Sequence, residues 1–352
     1  MQTNHRKRFD QITLIGFVMI CLIVLYHAAP VLALGYDTVN RRHYFINTVF
    51  SFLAIAAMSW FFSMTGFLLF RGFSLRRYAG KIGSRIRSLL IPYILWQAIV
   101  AIVYIAVYAV KYHGDSRYDV LSALKNTFLL TDHPPDSALW YVYAVFFLAL
   151  LSPLVCLLLK NRWIGVCVLL ISGITVAYIR LADFYRAVEA YPLYDGIVGY
   201  LPAYLIGSYF GLHDPELTKP RLLVFTGVHL IAGAVLCFAV TGFYSTMDLF
   251  QIGFCAILPI LLIYLFAKVK LPKRRGIFRC SFLIYAMHQP VFLLYGEPFS
   301  LAVERRFRSA AAVNLTVRFT ALIVIVCAAV LLHALLNRFA PRVLKVLTGG
   351  RC

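Results

Sequence analysis

The chain reads as long apolar runs separated by short polar connections. A helix needs about 20 predominantly apolar residues to cross the hydrocarbon core of a bilayer. Ten stretches approach or exceed that length: 11–34, 44–70, 89–110, 138–159, 163–179, 196–212, 222–243, 249–267, 277–295 and 317–339. The sixth is short and is interrupted by Pro202. The pattern predicts an all-α polytopic membrane helix bundle of about ten transmembrane helices. It forms a single domain over residues 1–352, with short tails at 1–10 and 340–352.

The first run carries one histidine, His27, in otherwise apolar surroundings. An imidazole there needs a hydrogen-bond partner or a water-filled cavity. Arg6, Lys7 and Arg8 precede this run and small residues follow it, as in a secretory signal. Its apolar stretch is longer than the roughly 7 to 15 residues of a signal core, so it is expected to persist as the first helix. At 1.5 Å rise per residue, His27 lies about 25 Å along the helix from Asp10.

Composition agrees with the pattern: 62% of the 352 residues are hydrophobic and 14% charged, and the mean hydropathy is +0.81. A formal charge of +20 points to nucleic acid only on a soluble basic face, and no soluble domain is visible. The cations instead cluster in alternate connections. With a cytoplasmic N-terminus, 23 of the 34 Lys and Arg fall on the cytoplasmic side, so the positive-inside rule places both termini there. The longest outer connections are then 111–137, 180–195 and 296–316. Seven of the eight cysteines lie in or beside apolar runs with no C-x-x-C pair, the pattern of small buried hydrophobes rather than of a disulfide framework or zinc site. There is no metal-ligand cluster, G-x-S-x-G elbow, Walker loop or dinucleotide fingerprint, which argues against a metalloenzyme, a serine hydrolase and an ATP-driven pump.

Five stretches, taken in order, resemble one family: LIVLYHAAP (22–30), FFSMTGFLLFRGF (61–73), RIRSLLIPYILW (85–96), SALWYVYAVFFLALLSPLV (137–155) and SFLIYAMHQPVF (281–292). Their order is similar to that of the acyltransferase 3 family of integral membrane acyltransferases. The resemblance implies transfer of an acyl group, acetyl above all, from cytoplasmic acyl-CoA to a hydroxyl of an extracytoplasmic carbohydrate. It further implies acetyl-CoA or another acyl-CoA as co-substrate with no bound cofactor, residence in the cytoplasmic (inner) cell membrane, and polysaccharide O-acetylation as the process. Exopolysaccharide, lipopolysaccharide, teichoic acid and periplasmic glucan all fit as acceptor. In one respect the chain departs from the family: the arginine often found eleven positions before the first-helix histidine is here Gly16, and the acidic residue three positions before that is Thr13.

The resemblance makes His27 the catalytic histidine. A neutral imidazole can take the acceptor hydroxyl's proton as the acyl carbonyl is attacked. His288 also has a family counterpart and reads either as a second catalytic group or as a structural hydrogen-bond partner. His229 and His333 have none, and fit packing or interfacial positions. Arg76, Arg77, Arg85 and Arg87 could grip the phosphates of a coenzyme A thioester or serve only as topogenic charge. Trp140, Tyr141 and Tyr285 are candidate acceptor contacts, and an interfacial aromatic belt also explains the first two. The alternative function is a transporter or flippase for a sugar or lipid-linked sugar, with the buried histidines as proton relays. Few acidic residues stand within the apolar runs, which weakens a proton-coupled mechanism.

Overall fold

A computed structural model describes residues 2–30, 41–111, 125, 135–181, 192–215, 219–241, 243–266, 276–307 and 309–351. Among them there is no strand. The helices are α1 (Gln2–His27), α2 (Arg41–Phe70), α3 (Tyr78–Arg85), α4 (Ile91–Lys111), α5 (Trp140–Leu150), α6 (Ser152–Leu159), α7 (Arg162–Leu181), α8 (Pro192–His213), α9 (Pro220–Thr241), α10 (Phe243–Phe266), α11 (Ser281–Arg306), α12 (Ala310–Phe339) and α13 (Pro341–Leu347). Most of the connections expected at 111–137 and 180–195 lies outside the described residues.

Among the described residues, four segments are long and apolar enough to cross a membrane: Phe45–Phe70, Leu75–Val107, Gly276–Arg306 and Ala310–Phe339. A fifth is formed if the bent pair Ser137–Leu150 and Ser152–Leu159 is one span. Their outer surfaces carry large exposed apolar side chains such as Ile102, Leu157, Ile323 and Leu331. An aqueous protein rarely exposes such a continuous apolar surface, and lipid accepts it at no cost. The chain is a multi-pass membrane protein.

Several boundaries move from their expected places for local physical reasons. α1 stops at His27 instead of running on toward residue 34. Pro30 biases the residue before it away from helical backbone, and the last turn closes with Ala28 N–H donating to the Val24 carbonyl at 2.9 Å. The basic stretch after α2 is itself helical: α3 continues through a π turn, Ile86–Leu90, into α4. Pro92 follows this π turn at the second residue of α4, and with no N–H to donate it leaves a carbonyl of the preceding turn without its helical partner. The run expected at 138–159 breaks into α5 and α6, bent by 64°, because Pro153 cannot donate to the carbonyl four residues earlier. α11 passes through Pro290 and Pro298 to Arg306. Among its described residues, the connection expected at 296–316 is therefore helical except at 307 and 309.

The centre of the bundle is the pairing of α2 with α8. Gly66 of α2 packs on Tyr204 and Ser208 of α8, while Gly207 and Gly211 of α8 pack on Ser63 and Phe67 of α2. A Cβ on Gly66 would meet Ser208 Oγ at 2.7 Å, and one on Gly207 would run into the Ser63 backbone, within 2.6 Å of its carbonyl carbon. Lipid supplies no hydrophobic drive for two helices to meet, so van der Waals contact through small residues holds them. Fully buried Trp60, Phe62, Tyr204, Tyr209 and Phe210 fill the space beside this contact.

Candidate functional site

The end of α1 and the middle of α11 meet at a cavity of about 200 Å³ lined by Val24, His27, Ala28, Tyr104, Ser137, His288, Gln289, Phe292, Leu293 and Ile325. The rings of His27 and His288 face each other there with centroids 5.1 Å apart. The last turn of a helix leaves carbonyls without intrahelical partners, and here an arginine takes them. Arg318 of α12, 2% exposed, donates from Nη1 to the Leu25 carbonyl and to the Tyr26 carbonyl, the latter at 2.8 Å. Its Nε donates to Asn314 Oδ1 at 2.6 Å and its Nη2 to Asn47 Oδ1 at 2.8 Å. The guanidinium also lies 4.7 Å from the Phe50 ring centroid. Asn314 Nδ2 donates to Asn47 Oδ1 at 2.9 Å, so both amides turn their oxygens toward the guanidinium. The backbone that carries His27 is thereby clamped to α2 and α12.

His288 is 1% exposed. Its Nδ1 lies 2.5 Å from the Tyr285 carbonyl, an acceptor, so Nδ1 bears the proton and Nε2 presents a lone pair. That buried Nε2 has no hydrogen-bond partner among the described residues. The Gln289 amide is oriented by the same logic of donor and acceptor. Its Oε1 accepts from Ala138 N–H at 3.1 Å, and a backbone amide can only donate, so the oxygen faces Ser137 and Ala138. Ser137 Oγ donates to the same oxygen at 3.0 Å. The N–H₂ end of Gln289 is left as a donor on a wall of the histidine cavity.

Beneath Ser137 lies an unusual carboxyl. Asp136 is fully buried, and Gln97 of α4 fixes its backbone by donating to its carbonyl at 2.9 Å and accepting its N–H at 2.7 Å. Asp136 Oδ1 accepts from Ala138 N–H at 3.2 Å, whereas Oδ2 has no partner among the described residues. Burial pushes this carboxyl up from 3.8 to about 8, opposed in part by the hydrogen bonds from the Ala138 and Leu139 amides.

A second cavity, of about 300 Å³, is lined by Ile20, Phe61, Thr65, Leu68, Arg85, Leu89, Tyr141, Val142, Val145, Ser281, Phe282, Tyr285 and Arg351. Helix register puts Phe61, Tyr141 and Tyr285 at one end and Leu68, Val145 and Ser281 at the other, with Arg85 and Arg351. Tyr141 shares a hydrogen bond with Thr65 Oγ1 at 2.8 Å and donates to the Phe61 carbonyl at 3.1 Å. Tyr285 donates to the Ala138 carbonyl and lies 5.8 Å from the His288 ring. Tyr285 lines the basic cavity and His288, one turn on, lines the histidine cavity, so this pair is the partition between them.

The structure thus brings His27 and His288 together, and separately gathers Arg85, Tyr141 and Tyr285. Arg76, Arg77 and Arg87 are exposed and do not line the basic cavity. Trp140 stacks with Tyr200, centroids 6.1 Å apart, and lies against Phe62; neither it nor Tyr141 lines the histidine cavity. Gly16 faces Trp60, where a Cβ would sit 3.5 Å from the indole nitrogen. Among the described residues, a cation reaches the histidine's end of α1 from α12 instead, through Arg318. His333 is half-buried, and the His229 side chain lies outside the described residues. A larger cavity of about 600 Å³ lies apart from these, lined by Arg162, Trp163, Tyr209, His213, Lys219, Arg221, Leu222 and Phe225. It holds no residue of either histidine turn. Arg318, Gln289, Ser137 and Arg351 are the additions to the residues expected from sequence.

No curated protein and no solved structure shows significant similarity to the chain. The acyltransferase 3 family model, described as an acyltransferase domain, matches residues 10–341. With nearly its whole length matched, and with the motif histidines of α1 and α11 facing each other across one cavity, the chain belongs to the acyltransferase 3 family of membrane acyltransferases.

Proposed function

We propose that the chain is a membrane O-acyltransferase that moves an acyl group, acetyl in the simplest case, from cytoplasmic acyl-CoA to a hydroxyl of an extracytoplasmic carbohydrate. About ten spans place both termini on the cytoplasmic side of the inner membrane, as the lysine and arginine distribution favours. The observation that carries this reading is the shared partition: a cavity bearing arginines and a cavity bearing two facing histidines meet at Tyr285 and His288. The thioester enters from the arginine side and the hydroxyl from the histidine side.

In the reaction the acceptor oxygen bonds to the acyl carbon, the carbon–sulfur bond breaks, and the sulfur leaves as the coenzyme A thiolate. His27 takes the hydroxyl proton and returns it to the thiolate, so that thiol and ester are the products. His288, through its Nε2 lone pair, accepts a hydrogen bond from the acceptor or from the imidazole of His27 and holds it in line. The Gln289 N–H₂ is placed to donate to the carbonyl oxygen as negative charge develops there.

The test measures transfer of radiolabelled acetyl from acetyl-CoA to envelope carbohydrate by membranes with and without the protein. Labelling should require the protein, and His27→Ala should abolish it while protein level and membrane insertion stay at the wild-type value. Substrate flux with no acetyl transfer into any envelope fraction would favour a transporter, and transfer retained by His27→Ala would remove the base from His27.

A further inference from the structure

Residues 341–351 fold back onto the bundle. Trp96 of α4 donates its indole N–H to the Leu347 carbonyl at 3.1 Å, which pins the end of α13. Thr348 Oγ1 donates to the Leu344 carbonyl at 2.8 Å. The chain then turns through Gly349 and Gly350 at φ of +61° and +75°, left-handed backbone that glycine adopts without penalty. Gly349 packs on Ser88 so closely that a Cβ would lie 2.8 Å from both Ser88 Cα and the Ser88 carbonyl carbon. Glycine is required there twice, once for the backbone angle and once for the contact.

The turn delivers one side chain. Arg351 Nη2 donates to the Ser88 carbonyl at 2.9 Å, and its guanidinium lies 4.6 Å from the Phe282 ring centroid. Held on those two sides, Arg351 forms part of the lining of the basic cavity together with Arg85. No acidic residue is among the described lining residues. Neighbouring Thr65, Tyr141 and Ser281 add hydroxyl groups to the wall. A cation needed only to orient the chain in the membrane would require neither two left-handed glycines nor a backbone contact to aim it.

We propose that Arg351 is a phosphate-binding residue of the donor site, gripping with Arg85 a phosphate of the coenzyme A moiety. The inference rests on the acyl-transfer reading above. The planar guanidinium fork matches the geometry of phosphate oxygens and stays charged at any physiological pH. Residues 341–351 then form one wall of the donor site, and α4, through Ser88 and Trp96, is the element they dock on.

The test uses the full-length protein in lipid nanodiscs, with equilibrium binding of radiolabelled acetyl-CoA and of acetyl-pantetheine, a thioester without phosphates. Arg351→Ala should weaken acetyl-CoA binding by about 10- to 100-fold and leave acetyl-pantetheine binding unchanged. Arg351→Lys, which keeps the charge but not the fork, should fall between. Equal weakening for both thioesters would mean a structural role and overturn the proposal, as would unchanged binding of acetyl-CoA. The acetyl-transfer assay on wild-type membranes is run alongside: its failure would sink the acyl-transfer reading, whereas success with an unaffected Arg351→Ala would sink only the phosphate contact.

Discussion

Arg318→Met tests whether the clamp at the end of α1 holds His27 in working position. Methionine has a similar apolar stem and cannot donate, so the variant loses the bonds to the Leu25 and Tyr26 carbonyls and to Asn47 and Asn314. At about 0.6 kcal/mol per hydrogen bond inside a membrane, four bonds amount to about 2.4 kcal/mol. At about 1.5 kcal/mol per bond to a charged group they amount to about 6 kcal/mol. The protein should therefore fold with a lowered melting temperature. The larger effect belongs on kcat, because a displacement of about 1 Å at a reacting group costs about 100-fold, and two of the four bonds fall on the residues immediately before His27. Arg318 does not line the basic cavity, so the KM for acyl-CoA should stay near wild type. The assay is steady-state acetyl transfer in nanodiscs, normalised to folded protein by thermal denaturation. Arg318→Lys can reach the carbonyls without forking to both asparagines, and should restore part of kcat. A folded Arg318→Met enzyme with wild-type kcat would refute the positioning role, as would a loss confined to KM.

Two further outcomes follow from polar groups beside the histidine cavity. Gln289→Glu keeps an oxygen for Ser137 and Ala138 and removes the N–H₂; kcat should fall about 100-fold, the scale of losing one oxyanion donor, with stability nearly unchanged, and an unaffected kcat would exclude the donor role. Asp136 has its carboxyl raised from 3.8 to about 8 by burial, so the folded state binds a proton that the unfolded chain has released. Stability should therefore be highest below about pH 4 for this group's contribution and decline as pH rises toward 8. Asp136→Asn should remove that decline, raising the melting temperature at pH 8 more than at pH 5; equal shifts at both values would mean that Asp136 is not the titrating group.

His27 was legible because a lone imidazole in an apolar run stands out in one dimension. Its surroundings were not, since each depends on which helices meet. The apolar run at residues 196–212 is short and broken by Pro202, yet α8 lies at the centre of the bundle. The two facts have one cause: helices that pack tightly in lipid do so through small residues, and Gly207, Ser208 and Gly211 lower the apolarity on which a span is recognised. The run through α11 was cut short for a related reason. Glu297 and Pro298 interrupt the apolar run just after residue 295 in the sequence, whereas neighbouring helices and side-chain bonds such as Ser300 Oγ to the Gly296 carbonyl at 2.6 Å support a continuous helix.

Arginines were the hardest residues to read, and the reason is physical. In a membrane chain the same residue type marks sidedness by sitting in a connection and performs chemistry by being buried with partners. Arg318 stands where an apolar run begins and so passes for a flanking charge. Only the tertiary structure shows that it lies two turns inside α12 with its donors spent on α1, Asn47 and Asn314. One sequence trace does exist: Asn314 and Arg318 are four apart, hence on the same helix face, and two polar residues sharing a face are more than a boundary requires. Arg351 has its own trace in the paired glycines before it, since a tail that only carries charge does not need left-handed backbone. In both cases the informative signal is the residue that must accommodate the cation, an asparagine one turn away or a glycine at positive φ, rather than the cation itself.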